Sequence, residues 1–283
     1  ALYRMSHKQA ILGVCFNGVH IICTNHPEQA SGLPLDLRMR WIGSAAEIQK
    51  QNELMNHRCV DLCERLQDDG LSCCVLKGQG ISVLYGQTLA NLRQCGDIDV
   101  WVKDADIPML SDYMRSQGVE YNATIAHVEG DLIKDVSVEL HATPAYFKNF
   151  RYNKRLQSWC SAYDWNCCKS INGFSVPSDS FNLVFLLVHL YHHFLYEGVG
   201  FRQLMDYYQF LMSIDSTNRQ VLYKEATISL QSFGMWRFTQ GVMYLMKVVF
   251  CMRSEFLICE PDAKTGQLLL TDMLESGNMG KYH

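Results

Sequence analysis

The feature that most constrains the fold of this chain is an apolar β-strand pattern carrying two carboxylates, in Leu92–Val102 (LRQCGDIDVWV). Side chains alternate between the two faces of a strand, so Asp97 and Asp99 share one face and the aliphatic residues between and after them share the other. Two adjacent carboxylates repel each other unless a positive group lies close to both. The pattern therefore predicts a sheet with one apolar face toward a core and a positive group on the acidic face.

A second acidic strand is predicted within Ile133–Thr143 (IKDVSVELHAT). Here Glu139 and His141 share one face, and aliphatic residues occupy the other. If the two strands are neighbours, Glu139 converges with Asp97 and Asp99. Hard oxygen ligands in this number suit Mg²⁺ or Mn²⁺, which leave part of their coordination shell for water and substrate phosphates. The strands predict a divalent metal site, with His141 either contacting the acids or making a structural hydrogen bond.

A turn that suits phosphate binding precedes the acidic strand, in Val75–Gly80 (VLKGQG). A strand that ends in Lys-Gly and opens a helix directs backbone N–H groups and a cation toward whatever lies above the sheet, which suits a triphosphate. Gly78 allows the backbone to approach closely, and Lys77 or Arg93 can offset charge on the leaving phosphates. For Arg93 a structural salt bridge and a place on a surface loop are the alternatives. The order of these parts fits nucleotidyl transfer by two metal ions, one activating an acceptor hydroxyl and the other holding the triphosphate.

The periodicity of apolar residues divides the chain into three segments and predicts an α+β fold class. Residues 1–70 predict an N-terminal helical segment. Residues 71–176 alternate between strand and helix patterns, which predicts a small mixed β-sheet core with helices. Residues 177–283 predict a C-terminal helical bundle.

Turn residues and glycine caps set the predicted element boundaries. A long helix is predicted from about Ile42 to Asp69, ending at Gly70 as a left-handed cap. One strand is predicted over residues 119–129 (VEYNATIAHVE), followed by a turn at Gly130–Asp131. Asn172–Gly173 indicates a hairpin.

The composition is typical of a globular protein and limits the partners. Of the 283 residues 48% are hydrophobic and 19% charged, with a formal net charge of −4. Because affinity for nucleic-acid backbones comes mainly from clustered Lys and Arg, this balance argues against bulk DNA binding. The one basic-aromatic stretch, residues 147–155, favours a solvated helix face over an RNA contact.

The cysteines and the most apolar segment indicate a cytoplasmic location. The 12 cysteines lack the CxxC spacing of zinc sites, which favours reduced thiols. The apolar run Phe181–Tyr196 is shorter than the roughly 20 residues that span a bilayer, and it contains histidines, so it predicts a buried helix and no membrane contact. The first residues lack the pattern of a secretory signal.

The segments VLKGQGISVLYG, LRQCGDIDVWV and VELHATP together resemble the nucleotidyltransferase superfamily of the DNA polymerase β type. They are most similar to a bacterial branch with an LKG turn, an Arg before Gly-Asp-Ile-Asp and a later acidic-Leu-His strand. The similarity extends to residues 189–211 (HLYHHFLYEGVGFRQLMDYYQFL), to the end of the first helical segment and to the tail GNMG. A similar arrangement occurs in toxin-type nucleotidyltransferases that modify tRNA.

The resemblance implies roles for individual residues. Asp97 and Asp99 correspond to the metal-binding pair, Glu139 to a third metal ligand and general base, and Gly78 to the nucleotide-binding turn. The implied cofactor is Mg²⁺ or Mn²⁺, and the implied substrate is an NTP whose NMP is transferred to a hydroxyl of a small molecule, a protein or an RNA. The usual Gly-Ser turn of the superfamily is Lys77–Gly78 here, and the third acid is Glu where Asp is commoner.

Several other functions share parts of this pattern. A catalytically silent binding module with the same fold and a toxin-type enzyme that modifies tRNA both remain open. A sugar-nucleotide glycosyltransferase fits less well, because that class has a longer nucleotide-binding segment before its acidic pair. A phosphatase of the haloacid dehalogenase type is disfavoured, because Gln94, Cys95 and Gly96 precede the acids and Trp101 follows them.

Polar residues on the later helices are candidates on spacing alone. His189, His192 and His193 lie on one helical face, but without an acidic partner of the HExxH kind they favour packing at the domain interface over a metal site. Arg202 and Asp206 are one helical turn apart, which favours an ion pair between them over a role in the wall of the nucleotide cleft.

Overall fold

The computed structural model of this protein describes residues 1–30 and 32–277. Within them the chain forms a mixed five-stranded sheet and a separate two-stranded sheet, with helices before, within and after the strands. The predicted α+β fold class is confirmed. Of the GNMG tail, only Gly277 lies within the described residues.

The helices and strands have the following bounds. The α-helices are α1 Leu2–Lys8, α2 Leu12–Asn25, α3 Pro27–Ala30, α4 Leu35–Asp68, α5 Gln79–Ser82, α6 Gly86–Ala90, α7 Ile107–Ser116, α8 Phe150–Ser161, α9 Asp179–Tyr196, α10 Phe201–Ser213, α11 Arg219–Ser232, α12 Trp236–Val249 and α13 Ala263–Ser276. The strands are β1 Cys73–Val75, β2 Ile98–Val102, β3 Tyr121–Ala123, β4 His127–Ile133, β5 Val136–His141, β6 Lys169–Ile171 and β7 Phe174–Val176.

The long helix α4 starts before its predicted position. It begins at Leu35, directly after Pro34, and not at Ile42. Most of residues 35–40 are exposed, so this first part of the helix has no apolar stripe that periodicity could detect. A surface ion pair between Arg40 and Asp36, 2.6 Å apart, links its first turns.

The predicted strand boundaries after α7 are wrong at two places. The predicted strand over 119–129 is divided between β3 and β4, and the predicted turn at Gly130–Asp131 lies inside β4. The chain instead turns before β5, where Asp135 has a positive φ of 69°. Gly130 is present because a Cβ there would lie 2.6 Å from the Glu120 carbonyl oxygen. It therefore marks a close approach of backbone in a strand and not a turn.

The five-stranded sheet has the order β1-β2-β5-β4-β3. The two central strands, β2 and β5, are parallel, and all other neighbours are antiparallel. Asp99 is paired with Glu139 in the register of β2 and β5. The prediction that the two acidic strands are neighbours is therefore confirmed.

Helices cover both faces of this sheet. On one face, Val100 and Val138 form a buried cluster with residues of α4 and α7, such as Leu62 and Met114. On the other face, Trp101 stacks on Phe181 of α9 with ring centroids 5.2 Å apart, within a larger core formed by the C-terminal helices. Asp99 of β2 alternates with Val100 and so projects toward the same face as Trp101, which places the predicted site between the sheet and the C-terminal helices.

The described residues also show the state of the cysteines and the character of the helices. All 12 cysteines there are unpaired thiols. None of the helices in residues 1–30 and 32–277 combines the length and apolar composition needed to cross a bilayer.

The packing of α2 against the segment before β2 leads to a first prediction. A Cβ on Gly13 would lie 2.2 Å from the Leu92 carbonyl oxygen, so Gly13→Ala must move the helix or that backbone. We expect the free energy of unfolding in urea to fall by about 1–3 kcal/mol. A Cβ on Gly18 of the same helix would have no atom within 4 Å, so Gly18→Ala should instead raise this free energy by about 0.5–1 kcal/mol. Equal effects of the two substitutions would contradict the close approach.

Candidate metal and nucleotide site

Three carboxylates meet where β2 and β5 run side by side. Asp97 immediately precedes β2, and Asp99 lies within it, opposite Glu139 of β5. One ligand oxygen from each of the three residues lies within 4.8 Å of the others. The convergence predicted from strand alternation is present in the fold.

The Lys77–Gly78 turn lies directly beside these acids. The N–H of Leu76 donates to the Asp99 carbonyl oxygen at 3.0 Å, which fixes the end of β1 against β2. Gly78 has a φ of 55° and a ψ of −112°, a conformation that residues with a Cβ rarely adopt. A Cβ there would lie 3.8 Å from the Asp97 carbonyl oxygen, an ordinary van der Waals distance. The backbone conformation of the turn beside the acidic strand, and not a lack of space for a Cβ, therefore favours glycine.

The helix that follows the turn contributes less than the sequence predicted. α5 is only four residues long. The N–H groups of Gly80, Ile81 and Ser82 already donate to the carbonyl oxygens of Lys77 and Gly78. The feature that this turn presents to a phosphate is therefore the Lys77 ammonium rather than the N-terminus of a long helix.

Lys77 and His141 supply positive charge to the acids. Lys77 Nζ lies 3.1 Å from Asp99 Oδ1, and His141 Nε2 lies 3.1 Å from both Asp99 Oδ1 and Glu139 Oε2. Asp99 is only 2% exposed. Burial alone would raise the pKa of its carboxyl group, but the Lys77 charge and the hydrogen bond from His141 hold that pKa well below its usual value.

Burial and neighbouring charges also shift the pKa values of His141, Glu139 and His127. Burial alone would lower the pKa of His141, but its hydrogen bonds to Asp99 and Glu139 and their charges raise it to about 9. Burial raises the pKa of Glu139, against the lowering effect of the His141 hydrogen bond. Burial likewise lowers the pKa of the nearby His127 to about 4. At neutral pH, His141 is therefore the charged imidazole and His127 the neutral one.

The carboxylates fit a hard divalent cation. Opposite ligands of an octahedral ion that binds at 2.0–2.1 Å are about 4.2 Å apart, comparable with the spacing of these oxygens, which is within 4.8 Å. Asp97 makes no hydrogen bond or ion pair within the described residues, so both of its oxygens are available. Asp97, Asp99 and Glu139 are the residues that would hold Mg²⁺ or Mn²⁺.

Arg93, predicted to contact the nucleotide, forms a buried ion pair. It is 3% exposed, and its Nε and one terminal nitrogen each lie 2.7 Å from a different oxygen of Asp206. Tyr85 donates a further hydrogen bond to Asp206 at 2.5 Å. The predicted pairing of Asp206 with Arg202 is wrong, because Asp206 binds Arg93, while Arg202 donates to the Gln94 carbonyl oxygen. A phosphate contact by Arg93 stays a prediction.

Two adjoining cavities border the acids. The smaller, of about 30 Å³, lies between the sheet and helices α9 and α10, and Gly78, Arg93 and Arg202 line it. The larger, of about 200 Å³, lies on the side of Glu139 and His127. Lys77, Asp97, His189 and His193 line both. A ligand larger than water therefore has room on the Glu139 side.

The helical histidines form part of the cavity walls. His193 Nδ1 lies 2.8 Å from Glu197 Oε2, and His192 Nε2 lies 3.8 Å from the same carboxyl group. His189 and His193 pack edge to face with ring centroids 4.2 Å apart. Within residues 1–30 and 32–277, none of the three belongs to a group of potential metal ligands. Their predicted packing between sheet and helices agrees with these contacts.

The sequence matches, over residues 1–249, a family described as uncharacterised nucleotidyltransferase. The chain belongs to this nucleotidyltransferase family. A structural similarity exists to an antigenic nucleotidyltransferase-like protein from Paracoccidioides brasiliensis, with 14% sequence identity, a TM-score of 0.42, and coverage of 75% of this chain and 96% of that chain. A similarity this low carries no argument about function. No curated protein matches the sequence.

In this nucleotidyltransferase, sequence reasoning missed one residue at the acids and left the role of a second open. His127 lies inside the strand predicted over 119–129 and was not singled out, whereas His141, for which a contact with the acids was one of two alternatives, does contact them. The register pairs His127 with His141 across β4 and β5. If the predicted strand is divided near Thr124, His127 and Glu129 share one face of the second part, as Glu139 and His141 share one face of their strand.

Proposed function

We propose that this nucleotidyltransferase transfers an NMP from an NTP to a hydroxyl acceptor with the help of divalent metal ions. The observation that carries the proposal is the convergence of Asp97, Asp99 and Glu139 within 4.8 Å, beside the Lys77–Gly78 turn. In the reaction, the acceptor oxygen forms a bond to the α-phosphorus. The bond from that phosphorus to the bridging oxygen breaks, and pyrophosphate leaves.

Each group at the site would have a separate role in this reaction. Bound Mg²⁺ or Mn²⁺ would acidify the acceptor hydroxyl and offset the charge of the triphosphate. Glu139 would accept the hydroxyl proton. Its raised pKa moves it toward the range in which a carboxylate is an effective base near neutral pH. Lys77 would pair with phosphate oxygens, since its ammonium already lies at the edge of the acidic cluster.

The acceptor is proposed to enter from the larger cavity. That cavity, of about 200 Å³, includes Glu139 in its lining, so an acceptor hydroxyl there lies next to the proposed base. An RNA end is the acceptor for which the structure offers least support. In the basic-aromatic stretch, Lys148 packs 3.9 Å over the ring of Tyr196, and Arg155 donates to the Ser232 carbonyl oxygen.

A catalytically silent binding module is the second candidate function. It is favoured by the ion pairs of Asp99 with Lys77 and His141, each at 3.1 Å. In these contacts, Lys77 and His141 neutralise part of the negative charge of the carboxylates, which a metal ion would otherwise offset. The two candidates therefore differ in whether product forms.

Thermal unfolding with Mg²⁺ and each NTP tests the metal site. We expect the wild-type protein to gain about 2.7 kcal/mol at a ligand concentration a hundred times Kd, and the variant Asp97→Asn/Asp99→Asn to gain nothing. Asp104→Asn is the matched control, because Asp104 lies beyond the other end of β2 with a φ of 56°, which Asn tolerates. This control should keep the full gain.

Transfer is then measured with each labelled NTP added to cell lysate. Labelled product with the wild-type protein and none with the double variant would support the transferase. Stabilisation by Mg²⁺ and NTP without product would favour the binding module. Absence of both would contradict the two candidates together.

A further inference from the structure

Glu139 also belongs to a second group of potential metal ligands. One ligand atom each from His127, Glu139 and His141 lies within 4.8 Å of the others. His127 is opposite His141 in the register of β4 and β5, and directly opposite residues project to the same face of a sheet. The two imidazole rings have centroids 4.9 Å apart. Both histidines therefore lie beside Glu139: His141 follows it on β5, and His127 belongs to β4, on the other side of β5 from β2.

The spacing of these atoms suits a coordination shell. His141 Nε2 lies 3.1 Å from Glu139 Oε2, and His127 Nδ1 lies 3.9 Å from the same oxygen. Neighbouring ligands of an ion that binds at 2.0–2.2 Å are about 3.0 Å apart in an octahedron and about 3.4 Å apart in a tetrahedron. A small rotation of the His127 side chain, which is 21% exposed, brings it into this range.

We propose that His127, Glu139 and His141 form a second metal site, which takes a divalent transition-metal ion and shares Glu139 with the carboxylate group. Two imidazoles and a carboxylate are a ligand set of first-row transition metals such as Mn²⁺, Fe²⁺ and Zn²⁺. Mg²⁺ prefers a shell of oxygen atoms alone. The second site thus disfavours Mg²⁺, which the carboxylate group accepts, whereas Mn²⁺ suits both sites. The second site does not depend on the proposed transfer reaction.

The surroundings allow His141 to change partners. An ion bound there would displace the Nε2 proton of His141 to solvent. The hydrogen bond of His141 to Asp99 can be given up because Lys77 Nζ also lies 3.1 Å from the same Asp99 oxygen, so that the buried carboxylate keeps a cation. The cavity of about 200 Å³ is lined by all three proposed ligands. Water or a substrate oxygen can therefore complete the shell from that side.

Mn²⁺ is the probe for the test, because Zn²⁺ also has a high affinity for thiolates and the described residues include 12 free cysteines. Pulsed EPR on the Mn²⁺-loaded wild-type protein, without nucleotide, should show magnetic coupling to imidazole nitrogen. A Mn²⁺ ion held by carboxylates alone shows none. Absence of nitrogen coupling would overturn the proposal, and this measurement does not depend on the folding of any variant.

Variants then assign the ligands. His127→Ala should weaken Mn²⁺ binding at least about ten-fold and reduce the number of coupled nitrogens. His192→Ala is the matched control, since this histidine lines the same cavity but lies nearest Glu197. Equal Mn²⁺ affinity in His127→Ala and wild type, or equal weakening in both variants, would overturn the assignment. Asp97→Asn should keep the nitrogen coupling even if it abolishes binding of Mg²⁺ and NTP, which separates this site from the proposed function.

Discussion

Glu139→Gln is expected to lower the rate of NMP transfer by about 10²–10⁴-fold, the usual contribution of a positioned general base. The substitution keeps the size of the side chain but removes the proton acceptor and weakens a metal ligand. Asp97 and Asp99 remain, and Lys77 still lies 3.1 Å from Asp99. Binding of Mg²⁺ and NTP should therefore fall much less than turnover. Pre-steady-state transfer and equilibrium NTP binding, measured on the same samples, give the two quantities separately.

Glu129→Gln is the control for this experiment. Glu129 is directly opposite Glu139 in the register of β4 and β5, so it carries the same charge on the same face of the sheet. Its carboxylate accepts a hydrogen bond from Ser137 at 3.2 Å and belongs to neither group of ligands among the described residues. We expect turnover within about two-fold of wild type. A large loss of turnover in Glu129→Gln, or none in Glu139→Gln, would contradict the role given to Glu139.

Asp206→Ala is expected to reduce the free energy of unfolding by about 3–5 kcal/mol, the range for breaking one side of a buried ion pair. Arg93 would keep its charge at 3% exposure without its bidentate partner, and the Tyr85 hydroxyl would lose its acceptor. Urea unfolding measures the loss. An unchanged dependence of this free energy on urea concentration would show that the compactness of the two states is preserved.

Two further variants distinguish the cost of leaving a buried charge unpaired from the cost of losing an ion pair as such. Asp112 and Arg115 form an exposed ion pair at 2.5 Å, and Asp112→Ala should cost no more than about 1 kcal/mol. The double variant Arg93→Met/Asp206→Leu removes both buried charges and should recover much of the stability lost in Asp206→Ala. If Asp206→Ala costs no more than Asp112→Ala, the buried pair does not hold the helices to the sheet.

The acidic part of the site was predictable because it follows from a local rule. Alternation along a strand places Asp97 and Asp99 on one face without knowledge of the rest of the fold, and the same rule applies to Glu139. The pairing of the two strands confirms the convergence. Gly78 lies in the turn beside the acids with a positive φ, but a Cβ there would have an ordinary contact of 3.8 Å to the Asp97 carbonyl oxygen, so the close approach expected at Gly78 stays a prediction.

The remaining parts depend on contacts between distant residues. Arg93 and Asp206 are separated by 113 positions, and helical spacing suggested Arg202 as the partner of Asp206. Gly130 has the local signal of a turn, but the neighbouring backbone of Glu120 requires a glycine inside a strand. Because the turn was predicted at Gly130, residues 119–129 were predicted as one strand, and His127 was not identified as a residue at the start of β4. These outcomes were decided by tertiary packing, which local patterns do not encode.

The division into segments 1–70, 71–176 and 177–283 stays a prediction. Hydrogen bonds do cross its boundaries. Gln9 of the first segment donates to the Met273 carbonyl oxygen and accepts from the Phe201 N–H, both in the third. Asn52 of the first segment donates to the carbonyl oxygens of Asn91 and Arg93 in the second. Such contacts favour unfolding of the three segments in one transition.

The parallel pairing of β2 with β5 also bears on how the protein folds. β3, β4 and β5 are consecutive antiparallel strands, and such neighbours meet early because the intervening loops are short. The chain between β2 and β5 contains α7, β3 and β4. Pairing of β2 with β5 therefore closes a longer loop, at a greater entropic cost. We therefore expect amide protection to develop in β3–β5 before it develops in β2. A chain caught between these two stages would hold its carboxylates too far apart to capture an ion.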